Sequence, residues 1–109
     1  MTRTEVASMI ASLKLPYAYY QFPKGTAQAP PFVCFFYTDT NDVFADDSNY
    51  QRIAGLSIEL YTSKKDFALE DTVEQMLKKN GFTYYKEENY IDTEKMWQIA
   101  YEMEVLING

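Results

Sequence analysis

Asp39, Asp42, Asp46 and Asp47 crowd into one short stretch of this 109-residue chain, and they are the side chains most able to do chemistry. Carboxylate oxygens are what a hard cation such as Ca²⁺ takes as ligands. The spacing argues otherwise. A calcium loop of the EF-hand kind needs Asp-x-Asp-x-Asp-Gly followed by a closing glutamate at its twelfth position, and this stretch has neither. Two readings remain: a solvated acidic loop, or a contact loop that projects onto a neighbouring subunit or into a channel.

A second acidic group, Glu87, Glu88, Asp92 and Glu94, carries the residue types of a paired-carboxylate hydrolase. Such an enzyme holds two carboxyls about 5–10 Å apart across a cleft, one of them in apolar surroundings that raise its pKa. These four instead surround a predicted polar turn, so a solvent-facing hairpin is the expectation. Cys34 is the single cysteine, and the chain has no histidine. An internal disulfide is therefore impossible, a thiol–imidazole pair is impossible, and a buried inert thiol is expected within Phe32-Val33-Cys34-Phe35-Phe36-Tyr37. Glycine-rich phosphate loops, nucleophile elbows and metal-ligand clusters are absent from the sequence. We assign no catalytic residue, no cofactor and no metal.

Composition points to contact surfaces. Aromatic residues make up 17% of the chain, ten of them tyrosine, and the formal net charge is −6. Nucleic-acid wrapping depends on clustered lysine and arginine, which a pI near 4.5 does not supply. Tyrosine buries a large ring while keeping a polar tip, and so is enriched at interfaces. Tyr17, Tyr19, Tyr20, Tyr84, Tyr85 and Tyr90 are the candidates, some to complete the core and its rim and some to cover a partner. The longest apolar runs fall far short of a membrane span of roughly 20 residues. The start Met1-Thr2-Arg3-Thr4-Glu5 lacks the apolar stretch of a signal peptide.

The elements that would position these residues follow from periodicity. Thr2 and Glu5 have capping-box spacing, and Val6, Met9, Ile10 and Leu13 form the stripe of a first helix that Pro16 closes. Tyr17 to Phe22 reads as extended, and Thr26 to Pro31 as a loop. Phe32 to Tyr37 is apolar on both faces, like a strand covered on both sides. Thr38 to Asn49 reads as a long hairpin connection with at most a short strand at Val43-Phe44. Leu56, Ile58 and Leu60 alternate with Ser57, Glu59 and Tyr61 in a strand spanning Tyr50 to Thr62. A second helix carries Leu69, Val73, Met76 and Leu77, with Ser63 or Asp66 as its cap and Asn80-Gly81 as its end. Strands over Phe82 to Tyr90 and Met96 to Ile107 complete the chain. The expected fold is a single α+β domain over 1–109: a two-layer sandwich, an antiparallel sheet with two helices on one face, in the order α-β-β-β-α-β-β.

Three stretches carry a resemblance: Tyr17-Ala18-Tyr19-Tyr20-Gln21-Phe22-Pro23-Lys24-Gly25, Ile58-Glu59-Leu60-Tyr61-Thr62-Ser63-Lys64-Lys65-Asp66 and Glu94-Lys95-Met96-Trp97-Gln98-Ile99-Ala100-Tyr101-Glu102-Met103-Glu104. Together they resemble the tail completion, tail terminator or head–tail joining proteins of long-tailed phages and prophages of Gram-positive bacteria. That resemblance implies a two-layer domain whose copies form a ring, typically a hexamer, that caps the tail tube and meets the neck. Its implied partners are further copies of itself, the tail tube protein and the head–tail connector or neck proteins, with DNA passing through the lumen without specific binding. Its implied place is the tail–neck junction of the virion, after assembly in the host cytoplasm. The resemblance implies that the connection spanning Asp39 to Asn49 takes part in ring contacts or lines the lumen, and we take Asp39, Asp42, Phe44, Asp46 and Asp47 as its candidate contact residues. From composition alone, the competing reading is a soluble cytosolic domain that binds a ligand or a protein through its tyrosine-rich surface.

Overall fold

The computed structural model describes residues 1–44 and 50–108, of which 39–44 and 50–51 are described as backbone only. Seven elements follow one another: α1 (Arg3–Ala11), β1 (Tyr17–Tyr19), β2 (Phe32–Phe44), β3 (Tyr50–Thr62), α2 (Phe67–Lys79), β4 (Tyr85–Ile91) and β5 (Met96–Ile107). The α+β class and the element order are those the periodicity predicts. One five-stranded sheet runs β1-β2-β3-β5-β4. β2, β3, β5 and β4 pair antiparallel as expected, while the short β1 lies parallel to β2 through Tyr17–Val33, Ala18–Cys34 and Tyr19–Phe35, so the sheet is mixed. A parallel pair needs a long crossover, and residues 20–31 supply it.

Local chemistry sets the helix ends. The Thr2 hydroxyl accepts from the Glu5 N–H at 3.1 Å, and the Glu5 carboxylate accepts from the Thr2 N–H at 2.8 Å, completing the capping box. Asp66, not Ser63, caps α2 by accepting from the Leu69 N–H at 3.0 Å. The chain leaves α2 through Gly81 at φ +82°, a left-handed conformation that a side chain resists, and the Phe82 N–H donates to the Leu77 carbonyl at 3.0 Å.

Both helices cover the same sheet face. Val6, Met9 and Ile10 of α1 join Val73 and Leu77 of α2 over Val33, Phe35, Leu56, Ile58, Leu60, Ile99, Tyr101 and Met103. The strand register explains the selection, because Val33, Leu60 and Ile99 lie opposite one another across three strands, as do Phe35, Ile58 and Tyr101. Burying each such side chain contributes about 1.5–3 kcal/mol.

β2 departs from the expected connection. It runs on through Thr38 to Phe44, pairing Thr40 with Ala54 and Phe44 with Tyr50 after a register shift between Tyr37 and Thr40. Aspartate disfavours strands by propensity, but a ladder to an already anchored β3 overrides so weak a preference. Asp39, Asp42 and Phe44 therefore stand on a strand, not in a loop, and the register sets Asp42 opposite Arg52. Asp46 and Asp47 lie outside the described residues. Paired strands of 13 residues each would reach about 43 Å, consistent with overall dimensions of 51 × 29 × 23 Å. Among the described residues, no helix is long and apolar enough to cross a membrane.

One ion cluster pins α2 to the sheet. Glu70 is 1% exposed, and its carboxylate lies 2.7 Å from Lys65 Nζ and 2.9 Å from Lys86 Nζ. Lys86 also reaches Glu74 at 2.8 Å, and the buried Tyr101 hydroxyl donates to Glu74 at 2.8 Å. Lys65 further pairs with Glu88 of β4. Burial opposes ionisation of Glu74, but its bonds from Lys86 and Tyr101 outweigh that and hold its pKa below the usual carboxylate range. A carboxylate depressed on folding stabilises the fold fully above its unfolded pKa and loses that contribution as pH falls through the folded value. Glu70→Gln, which leaves two lysines facing a neutral amide, should cost about 2 kcal/mol at pH 7, the partial exposure of both lysines reducing the cost expected of a fully buried pair. Urea unfolding should also show the gap between wild type and Glu74→Gln closing as pH falls below the ordinary carboxylate range. Equal stability of wild type and Glu70→Gln at pH 7 would remove this cluster from the account.

Candidate interaction surfaces

The six singled-out tyrosines divide by environment. Tyr17 and Tyr19 flank the buried Phe35, Tyr19 edge-on at 5.5 Å between ring centroids, while Tyr20 meets Phe36 edge-on at 5.5 Å. The Tyr19 hydroxyl also accepts from the Tyr37 N–H at 3.1 Å, satisfying a β2 donor just past the point where β1 ends. Tyr84 is half-buried and packs edge-on against Tyr101, so it belongs to the core rim. Tyr90 leans on Trp97 yet stays exposed, and Tyr85, 81% exposed, is the most solvent-facing large ring among the described residues. Five of the six are thus available to a partner, in two groups at opposite ends of the strand order: Tyr17, Tyr19 and Tyr20 beside β2, Tyr85 and Tyr90 on β4.

The carboxylates of the β4–β5 hairpin do not form a catalytic pair. Glu87 lies opposite Ala100 and Glu88 opposite Ile99, so the two point to different faces. Glu88 is spent on Lys65, whose hydrogen bond lowers its pKa, the reverse of what a general acid needs. Asp92 and Glu94 are exposed in the turn. Among the described residues, no group of three or more acidic, cysteine or histidine side chains is placed to hold a metal ion.

The helix-free face of the sheet holds what the sequence pattern leaves unremarked. By register, Glu59, Glu87, Glu102 and Glu104 all project from it, while Lys86 of β4 and Arg52 of β3 project from the opposite face. The crossover from β1 to β2 folds over part of this face. Phe22 packs edge-on against Phe32 at 5.4 Å, and Phe32 stacks on Tyr61 at 4.8 Å. Between the crossover and the sheet opens a groove of about 700 Å³, lined chiefly by Tyr20, Phe22, Phe36, Glu59, Tyr61 and Met96. Beneath it, Glu59 accepts from the Tyr61 hydroxyl at 3.0 Å and from Gln98 Nε2 at 3.2 Å, while Gln98 also donates to the Tyr61 oxygen at 2.9 Å. Burial raises the Glu59 pKa, the Tyr61 hydrogen bond opposes the rise, and the nearby Glu102 adds to it. The alternation of Ser57, Glu59 and Tyr61 did place the last two side by side. Gln98, separated from them by α2 and β4, has no local signal.

Cys34 sits beneath the same groove at 4% exposure. Burial, helped by repulsion from Glu59, pushes its thiol up to about 11. A thiol so placed is nearly all protonated at neutral pH, as the buried, inert reading expects.

No protein-family model and no curated protein sequence matches the chain. Among solved structures, a chain from the virion of a native gene transfer agent particle superposes with a TM-score of 0.63 at 16% sequence identity. The match covers 92% of this chain and 84% of that one. At that identity the likeness is one of fold, and it extends over nearly the whole of this chain. As for Cys34, native protein treated with iodoacetamide at pH 8 should remain unalkylated by mass spectrometry, whereas urea-unfolded protein should gain one adduct. Rapid native alkylation would contradict the burial described.

Proposed function

We propose that this chain is a non-enzymatic structural protein of a phage virion, acting at the head-proximal end of the tail. Copies form a ring, taken as hexameric, that terminates the tail tube or joins it to the head connector. The observation that carries this reading is the near full-length likeness in fold to a chain that is part of a virion particle. The three sequence stretches that resemble tail completion and head–tail joining proteins point the same way.

Several features of the surface support assembly. β1 covers only Val33 to Phe35 of β2, so the outer edge of β2 from Thr38 to Phe44 has no strand beside it among the described residues. At the far side of the sheet, β4 also has no further strand beside it among the described residues, and its Tyr85 and Tyr90 are exposed. Two open edges on one sheet suit head-to-tail repetition, in which one edge of each copy meets the other edge of the next and the ring closes by rotation. Tyr17, Tyr19 and Tyr20 would then lie near the junction.

Charge supports the passage of DNA through such a ring. A net charge of −6 and an acidic stretch from Asp39 to Asp47 repel phosphates and prevent adhesion. In this reading Asp39, Asp42, Phe44, Asp46 and Asp47 make ring contacts or line the lumen. The site of action is the tail–neck junction, and the partners are further copies, the tail tube protein and the connector.

Electron micrographs of particles made without this protein test the assignment. Tails of uncontrolled length indicate termination, finished tails lying beside full heads indicate joining, and normal infectious particles would contradict both. Changing Asp42, Asp46 and Asp47 together to lysine should slow DNA ejection while rings still assemble. Ejection at the normal rate would remove the acidic lumen from the proposal.

A further inference from the structure

Two carboxylates withdrawn from solvent, Glu70 and Glu59, are treated differently. Glu70, on the helix-covered face, has two lysines against it. Glu59, on the helix-free face, has only the neutral donors of Tyr61 and Gln98, and no lysine or arginine pairs with it among the described residues. A half-buried carboxylate beside Glu102 and without a cation bears an electrostatic cost that a positive charge from outside would relieve.

The surroundings state what kind of cation. Tyr20, Phe22, Phe36 and Tyr61 line the groove, and Phe32 stacks on Tyr61 to hold that ring in place. Aromatic faces attract a guanidinium through cation–π contact and flat stacking, and a carboxylate accepts its parallel N–H donors. Cys34 contributes no charge there, and Tyr61, raised by burial above the ordinary phenol range, stays a neutral donor.

We propose that this groove is a docking site for a partner protein that inserts an arginine side chain over Glu59, between the aromatic rings of the β1–β2 crossover and the sheet. Charge complementarity selects a basic partner over a second copy. This chain carries sixteen acidic residues against ten basic ones, and the face bearing the groove has glutamates and no strand-borne cation. The site does not depend on the virion role. It is defined by its own side chains, and it would hold for an interaction domain of any kind.

The test uses the full chain, isotope-labelled, with N-acetyl-arginine amide as the probe and its neutral isostere N-acetyl-citrulline amide as control. Arginine amide should move the NMR signals of Glu59, Tyr61 and Gln98 saturably and should lower the apparent pKa of Glu59. Citrulline amide at equal concentration should do neither. Glu59→Gln, which keeps shape and removes charge, should weaken arginine binding about tenfold or more, the loss expected for a charge-assisted contact. Should that variant fail to fold, the Glu59 pKa in the wild type with and without arginine amide decides alone. Equal shifts from both probes, or an unmoved Glu59 pKa, would overturn the proposal. So would groove signals that move on simple dilution of the protein, since that outcome makes the occupant a second copy.

Discussion

A five-stranded sheet with helices on only one face leaves its other face to be satisfied by some other means, and that constraint organises this protein. The covered face is solved conventionally. Two amphipathic helices lay Val6, Met9, Ile10, Val73 and Leu77 over the inward-facing residues of β2, β3 and β5. The uncovered face is solved only in part. Its β2 end is sheltered by the crossover that brings Phe22 against Phe32, and Cys34 lies buried beneath the groove there. The remainder is a glutamate-bearing surface that solvent or a partner must complete.

The same asymmetry governs the charges. Where the helical layer meets the sheet, every carboxylate near the interior is matched: Glu70 by Lys65 and Lys86, Glu74 by Lys86 and the Tyr101 hydroxyl, Glu88 by Lys65. Lysine ammonium groups also lie over aromatic rings there, Lys65 Nζ at 5.1 Å from the Phe67 ring centroid and Lys86 Nζ at 5.9 Å from that of Tyr101. The interior side is thus electrostatically closed and should remain rigid. The helix-free side keeps Glu59 under aromatic cover with no lysine or arginine paired to it among the described residues, an arrangement suited to contact with a partner.

Much of the fold was legible because its elements obey simple periods. Leu56, Ile58 and Leu60 at spacing two, and Val73 and Leu77 at spacing four, describe β3 and α2 without knowledge of any contact. β5 was legible for the same reason, from Trp97 to Ile107. What escaped depended on partners distant in sequence. The extension of β2 through Asp39 and Asp42 runs against local propensity and is held by the ladder to β3. The parallel pairing of β1 rests on three residue pairs with no local signature. The ion cluster joins residues 65, 70, 74, 86 and 88 across a helix and a strand, and the Glu59–Tyr61–Gln98 network joins two strands far apart in the chain. Of the six tyrosines, Tyr84 packs over Tyr101 and completes the core rim, a choice among them that needs the contact itself.

The central claim is that this chain works as a shaped unit repeated around an axis, presenting strand edges and an acidic face rather than transforming a molecule. Cryo-electron microscopy of the purified protein mixed with isolated tail tubes addresses it most directly. The account predicts closed rings of this protein seated on one end of each tube, with the β2 edge of every copy against its neighbour. Bare tube ends beside dispersed monomers, at concentrations well above those in an infected cell, would contradict it.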